Sequence, residues 1–301
     1  MERYNRLNDY LKNKFGERTL KICIDGGFTC PNRDGSKGIG GCTFCSEKGS
    51  GEHLHSFETI SMQVQDYFKS YKSCRANKFI AYFQNFTNTY DSLKNLKNKY
   101  DSALIDDRIV ALAVATRPDC INETVVKLLK SYSEKYYVLV ELGLQTANEK
   151  TAQLINRCYS NDDFSKAVQL LNEYDIDVVT HVMVGLPGES FDDIKETVAF
   201  LNKHNIQGLK IHSCYVVNGS SLALQYLNGS YIPISLDEYI DSACYILTHI
   251  SPNIVIHRIS GDAPKDLLLA PEWNGHKKWI MNGINKKLND ENLYQGMYYS
   301  K

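Results

Sequence analysis

The chain has 301 residues, 43% of them hydrophobic, with 19 glycines, 7 prolines and a formal net charge of −1. That composition supports one large α/β domain or two ordinary ones and excludes wholesale disorder, and the near-neutral balance gives no overall field for nucleic acid. No run approaches the roughly 20 apolar residues of a membrane span, and the charged start MERYNRLNDYLKNKFGER lacks an apolar signal segment. A cytoplasmic protein with no membrane partner, monomeric or weakly dimeric, is expected.

Residues 3 to 16 read as a helix. After it, short apolar runs alternate with amphipathic ones. The strand-like runs are KICIDGGF, KFIAYFQ, IVALAVAT, YYVLVELGL, IDVVTHVMVGL and IQGLKIHSCYVV. Between them the expected helices cover 56–71, 92–100, 122–133, 148–156 with 163–173, and 190–204, the last opened by the capping pattern Ser190-Phe-Asp-Asp193. Six such units between about residues 20 and 228 predict a parallel sheet. They are too few for a closed eight-unit barrel, so a partial (β/α)6 TIM-like barrel is expected, with function at the carboxyl ends of its strands. A second capping pattern, Ser235-Leu-Asp-Glu238, starts a helix that leads to NIVIHRIS, a segment able to close or extend the sheet. The expected organisation is an N-terminal helical segment (1–20), the barrel (21–230) and a C-terminal extension packed on it (231–301).

Period-two alternation then divides the strand faces. Val140, Leu142 and Leu144 oppose Glu141, Gly143 and Gln145; Leu209 and Ile211 oppose Lys210, His212 and Cys214; Leu112 and Val114 oppose Ala111, Ala113, Ala115 and Arg117. With the apolar set turned outward to the helices, small and polar side chains are left inside. This is the pattern of a lined cavity, whereas a structural barrel centre is filled by branched apolar side chains.

Nine cysteines without an export signal read as ligands, catalytic groups or buried small hydrophobes. Cys74, Cys120, Cys158, Cys214 and Cys244 are scattered and suit core positions, and Cys23 lies within a strand. Cys30-x11-Cys42-x2-Cys45 stands apart on the loop after the first strand. A structural zinc site wants four ligands, normally as two knuckles, and here there is one. A disulfide is disfavoured by the reducing compartment. Three thiolates holding an iron–sulfur cluster leave one iron open, and the position on the catalytic face favours this reading.

The stretch GGFTCPNRDGSKGIGGCTFC resembles an expanded-loop branch of the radical S-adenosylmethionine (SAM) enzymes, whose usual spacing is Cys-x3-Cys-x2-Cys. YFQNFTNTY, ATRPDC, ELGLQTAN, INR, HVMVGLPGE and KIH continue the likeness over about residues 20 to 215. The Elongator catalytic subunit has a similar loop and TRPD stretch, together with an acetyltransferase domain for which this chain is too short. The resemblance implies a 4Fe-4S cluster on Cys30, Cys42 and Cys45, S-adenosyl-L-methionine on its open iron, and a 5′-deoxyadenosyl radical that takes hydrogen from substrate. It implies that Thr87 and Asn88 meet the cofactor's amino group and that Arg157 pairs with its carboxylate. Glu141 and Gln145 are implied at ribose or methionine, and the Gly185-Leu186-Pro187-Gly188 turn at adenine. An electron donor such as flavodoxin or ferredoxin is implied as a partner. Cys158 stands where relatives often carry glycine.

Relatives in this branch are associated with tRNA wobble-uridine modification. The implied reaction trims 5-carboxymethylaminomethyluridine, or its 2-thio form, to 5-aminomethyluridine, with tRNA as the partner. Inward-facing Lys210 and His212, with His181 before the turn, suit a substrate anion or a proton transfer, and Lys210 or Arg117 suits the substrate carboxylate. Basic residues near both ends, among them Arg3, Arg6, Lys12, Lys277 and Lys278, are able to grip phosphates. The rivals are the same chemistry on a protein or small metabolite, and a zinc-stabilised nucleic-acid-binding module without catalysis.

Overall fold

The structure, a computed structural model, describes residues 2–49 and 58–300. The first two residues of the helix expected over 56–71 lie outside the described residues. Chain order runs α1 (Leu7–Phe15), β1 (Thr19–Ile24), α2 (Ile60–Lys69), β2 (Lys78–Phe83), α3 (Leu93–Ala103), β3 (Ile109–Thr116), α4 (Glu123–Tyr132) and β4 (Tyr137–Gln145). It continues with α5 (Glu149–Leu154), α6 (Asn161–Glu173), β5 (Asp177–Val184), α7 (Phe191–Leu201), β6 (Gly208–Ser213), β7 (Val216–Val217) and α8 (Ser221–Leu227). The last elements are α9 (Leu236–His249), β8 (Val255–Arg258), β9 (Leu268–Ala270) and α10 (Lys277–Asp290).

Strands β1 to β6 pair in sequence order, every pair parallel, and β8 adds to β6 as the seventh strand of the sheet. The sheet curls into a partial TIM barrel. The segment after residue 230 therefore supplies a strand to the barrel wall as well as packing on it. Helices start where the chain offers side-chain oxygens to free backbone N–H groups: Ser160, Ser190 and Ser235 each form a capping box, with Asp163, Asp193 and Glu238.

Strand alternation sorts the side chains as their periodicity requires. Leu112, Val114, Val140, Leu142, Leu209 and Ile211 join the large apolar layer between sheet and helices. Inside the barrel, Ala111, Ala113 and Ala115 face a smaller cluster with Ile80, Tyr82, Leu139 and Val179. Leu11 of α1, 3% exposed, enters this inner cluster with Leu7, Tyr10 and Phe15 beside it. Burying a leucine side chain this fully stabilises by about 1.5–3 kcal/mol. Helix α1 touches both β1 and β8, so it stops one end of the barrel and spans the gap between first and last strands. Above this plug some inward-facing side chains keep part of their exposure. His181 points inward from β5 yet keeps 21% of its side-chain exposure, and Lys21 on β1 keeps 19%.

The run IQGLKIHSCYVV divides into β6 and β7, and the pairing of β7 with β9 and the short helix α8 have no counterpart among the sequence expectations. They build a third cluster at the carboxyl end, where Leu186, Cys214, Val216, Leu222 and Ala270 pack with Phe44 of the cysteine loop. Among the described residues no helix is long and apolar enough to cross a membrane.

Candidate active site

The loop after β1 carries Cys30, Cys42 and Cys45, all partly exposed. Asn32 and Asn156 tie it down. Asn32 Nδ2 donates to the Asn156 carbonyl at 2.6 Å and lies 3.6 Å from Cys42 Sγ, and Asn156 Nδ2 donates to Gly41 O at 2.8 Å. Gly41 has a φ of +82°, and a Cβ there would sit 2.9 Å from Arg33 Nε, so the turn requires glycine. Arg33 in turn donates to the carbonyls of Ser46 and Glu47. Thr43 N bonds Ile155 O at 3.0 Å, and Leu222 N bonds Thr43 O at 2.8 Å, so the loop is held between α5 and α8. A hydrogen bond from the Cys45 thiol holds Cys42 down to about 7 and pushes Cys45 up; Arg117 adds to the effect on Cys42.

At the carboxyl end of β2, Thr87 N bonds Thr29 O at 3.2 Å, which places Thr87 next to the cysteine loop. Asn88 Nδ2 donates to Ala115 O at 2.7 Å. Thr87 Oγ1, Asn88 Oδ1 and Asn85 Oδ1 are buried without a hydrogen-bond partner among the described residues. Buried acceptors are rarely left so. Three together at the carboxyl end of β2, with Thr87 against the cysteine loop, fit a ligand bearing N–H donors, as the amino group of SAM does. Among the described residues no three His, Cys, Asp or Glu side chains come close enough for a single metal ion. A cluster takes one thiolate on each of three irons and asks for a wider spread.

Arg157 is placed differently from the sequence expectation. It is fully buried, and its five N–H groups are taken by Tyr159 O, Leu144 O, Thr146 O, Glu149 and Asn161. As placed it builds the turn between α5 and α6 and leaves no donor for a cofactor carboxylate. Arg117 forms a two-pronged pair with Asp119 (2.9 and 3.0 Å) and donates to Arg157 O at 3.1 Å. The two guanidinium carbons each lie 4.7 Å from the Tyr159 ring centre. The Tyr159 hydroxyl lies 2.6 Å from Gln145 Oε1 and 2.7 Å from Gly143 O, so Gln145 is held by protein at the rim.

Glu141 also differs. It is 1% exposed at the centre of the interior. Its Oε1 accepts from Lys21 Nζ at 2.8 Å, and its Oε2 lies 2.6 Å from Tyr82 Oη, 2.9 Å from His181 Nε2 and within reach of Lys210 Nζ. Four donors leave it no free position toward ribose or methionine. Burial alone would raise its pKa, but Lys21, Lys210 and His181 hold it well below the usual range. Burial pulls Lys210 down to about 7, against the opposing pull of Glu141. Burial likewise takes His181 to about 4 and His212 well below its ordinary value, so both imidazoles are neutral at pH 7. Lys21, Tyr82 and His181 escaped the sequence reading as members of one network; the inward phase of Lys21 on β1 and Tyr82 on β2 was the available signal.

The turn after β5 holds Gly185 at a φ of +86°, with its carbonyl accepting from Tyr231 Oη at 2.7 Å. A Cβ on Gly185 would meet Ile234 at 2.6 Å. Leu186 and Pro187 are buried, Leu186 in the cluster with Phe44. A cleft of about 620 Å³ opens behind this turn, between α7 and α9, and contains none of the inward-facing strand residues.

The model of the "Radical SAM superfamily" matches residues 30–201, and that of the "Radical_SAM C-terminal domain" matches 206–290. The chain belongs to the radical SAM superfamily. Radical SAM enzymes use a 4Fe-4S cluster and SAM, for which the three thiols and the orphaned oxygens are suited. The chain is 38% identical over 302 residues to "Uncharacterized protein YtqA" of Bacillus subtilis (strain 168), covering 100% of this chain and 94% of that one. It is 30% identical over 166 residues to the "tRNA uridine(34) acetyltransferase" of Methanocaldococcus infernus, which is 54% of this chain and 30% of that protein. The solved structure of archaeal M. infernus Elp3, lacking residues 1–46, superposes with a TM-score of 0.69 at 18% identity, covering 92% of this chain and 64% of that one. That likeness shows the partial-barrel fold.

Proposed function

We propose that this radical SAM enzyme acts on the wobble uridine of tRNA, converting 5-carboxymethylaminomethyluridine or its 2-thio form to 5-aminomethyluridine. The observation that carries the reading is the cationic interior beneath the thiol loop, where Lys21 and Lys210 converge on Glu141. It suits a substrate whose reacting carbon stands beside a carboxylate. The similarity to a tRNA uridine(34) acetyltransferase supports the choice of nucleic acid.

When bound, the cluster and SAM supply a carbon radical able to abstract hydrogen. Cys30, Cys42 and Cys45 would hold the cluster, and the free oxygens of Thr87 and Asn88 would receive the amino group of SAM. The Gly185 turn, with Leu186 and Pro187 behind it, would face the adenine. Arg117, beside the thiols and anchored on Asp119, favours their thiolate forms. The plug of α1 and the Leu186–Phe44 cluster limit water around the site. Lys210 seats the substrate carboxylate, with neutral His212 on the same strand placed to pass a proton. The glycine-like methylene would give up one hydrogen atom to the cofactor-derived radical and one electron to an oxidised one-electron carrier such as flavodoxin or ferredoxin, and water would hydrolyse the resulting imine to glyoxylate and the amine.

Nucleoside analysis of tRNA from a deletion strain tests this reading. Accumulation of the carboxymethylaminomethyl form is expected. Unchanged wobble nucleosides would move the substrate to a protein or small metabolite.

A further inference from the structure

We propose that Lys21 and Lys210 form a carboxylate-binding site on the floor of the barrel, with Glu141 as the positioning residue that holds them in place. The inference rests on the reading above in taking that carboxylate to be the substrate's.

Two ammonium groups face a single carboxylate here. Lys210 is 5% exposed, Lys21 reaches inward from the opposite wall, and Glu141 is the acid that both contact. The neighbouring cation, Arg258 on β8, already pairs with Asp262 at 3.2 Å. A buried positive charge without its own counterion is unfavourable by several kcal/mol and is relieved by an anion of matching size. The drop of Lys210 to about 7 is the response expected of such a group when the anion is away.

Donor arithmetic agrees. Each ammonium has three N–H groups. Lys21 uses one on Glu141, and Lys210 uses two, on Glu141 and on Tyr82 Oη at 3.0 Å. Three N–H groups are left over, and His212 Nε2 is buried without a partner among the described residues. A carboxylate accepts about four hydrogen bonds. The Tyr82 ring supports both lysines, 4.6 Å from Lys21 Nζ and 4.7 Å from Lys210 Nζ. Opposite them, Ala111, Ala113 and Ala115 keep β3 from filling the space. Side chains this small on the facing strand hinder the carboxylate end of a slim chain less than a phosphodiester, which would bring two sugars with it.

The test uses cluster-loaded protein labelled with ¹⁵N-histidine, titrated with acetate and separately with inorganic phosphate, following the His181 and His212 ring nitrogens. Acetate is expected to shift both saturably. Lys21→Met and Lys210→Met are expected to weaken it by about tenfold or more, while Lys21→Arg retains it. Absence of a saturable acetate response in the wild type, or an unchanged one in both Met variants, overturns the site. Phosphate binding as tightly as acetate overturns the carboxylate assignment. The two readings fail separately: saturable acetate binding with unchanged wobble nucleosides removes tRNA and leaves the site. Conversion of tRNA by Lys21→Met at the wild-type rate removes the site and leaves tRNA.

Discussion

Replacing Glu141 by Gln removes the one negative charge on which Lys21, Lys210 and His181 converge. Deleting one partner of a buried ion pair costs about 3–5 kcal/mol. At pH 8 the loss falls near 3 kcal/mol, because Lys210 is then largely neutral and the glutamine oxygen still accepts. Below pH 7 the wild-type Lys210 takes up a proton that Glu141 stabilises. In the variant that support is gone, Lys210 titrates lower, and the folded state binds less proton than the wild type does. The deficit therefore deepens as pH falls, by up to about 1.4 kcal/mol per pH unit. Urea midpoints followed by circular dichroism at about pH 8, 7 and 6 read this directly, in protein of matched cluster content. The double variant Glu141→Gln/Lys210→Met should recover part of the loss, since no unpaired ammonium is then buried beside the amide. A deficit below about 1 kcal/mol that does not change with pH, as for an exposed pair, would refute the network.

Cys30→Ala, Cys42→Ala and Cys45→Ala should each abolish brown colour and bring iron from about four per chain to below one. Their circular dichroism should be unchanged, because the loop is held by Asn32, Asn156 and backbone bonds; retained iron in any one would remove that thiol from the cluster. Arg157→Ala should lower stability by about 3 kcal/mol or more, because five hydrogen bonds, two of them fully buried, go with this buried side chain. A variant of wild-type stability with weakened SAM binding would instead restore Arg157 as a cofactor contact. Acetate affinity should fall as pH rises through about 7, where Lys210 loses its proton. Of the groups facing it, Glu141 on β4 stays ionised, and Tyr82 on β2, Cys23 on β1, His181 on β5, His212 on β6 and His257 on β8 stay neutral. Lys21 on β1 and Arg258 on β8 supply the other facing charges. Affinity flat between about pH 6 and 8 would contradict the assignment.

Alternation on three strands was enough to place Glu141, Lys210 and His212 inside the barrel, because a strand with one face against helices has no freedom to turn over. The three capping patterns at Ser160, Ser190 and Ser235 are local, and the capping sequences at Ser190 and Ser235 marked helix starts correctly. What the sequence could not reveal is where a long side chain ends. The motifs suggest cofactor contacts for Arg157 and Glu141, yet Arg157 is saturated by groups of the surrounding turn, between residues 144 and 161, and Glu141 by distant segments: Lys21 lies 120 residues from Glu141, and Lys210 lies 69 away. Strand β9, and the break that separates β7 from β6 within IQGLKIHSCYVV, escape the sequence for a similar reason. Strands β7 and β9 are two and three residues long and are defined by each other and by Phe44, not by any periodicity.

Conversion of the wobble nucleoside is tested most directly by incubating cluster-loaded protein anaerobically with SAM, a reductant and tRNA carrying 5-carboxymethylaminomethyluridine, then quantifying nucleosides by mass spectrometry. It requires loss of that nucleoside and appearance of 5-aminomethyluridine, in step with 5′-deoxyadenosine and glyoxylate. Formation of 5′-deoxyadenosine with every tRNA nucleoside unchanged would contradict it.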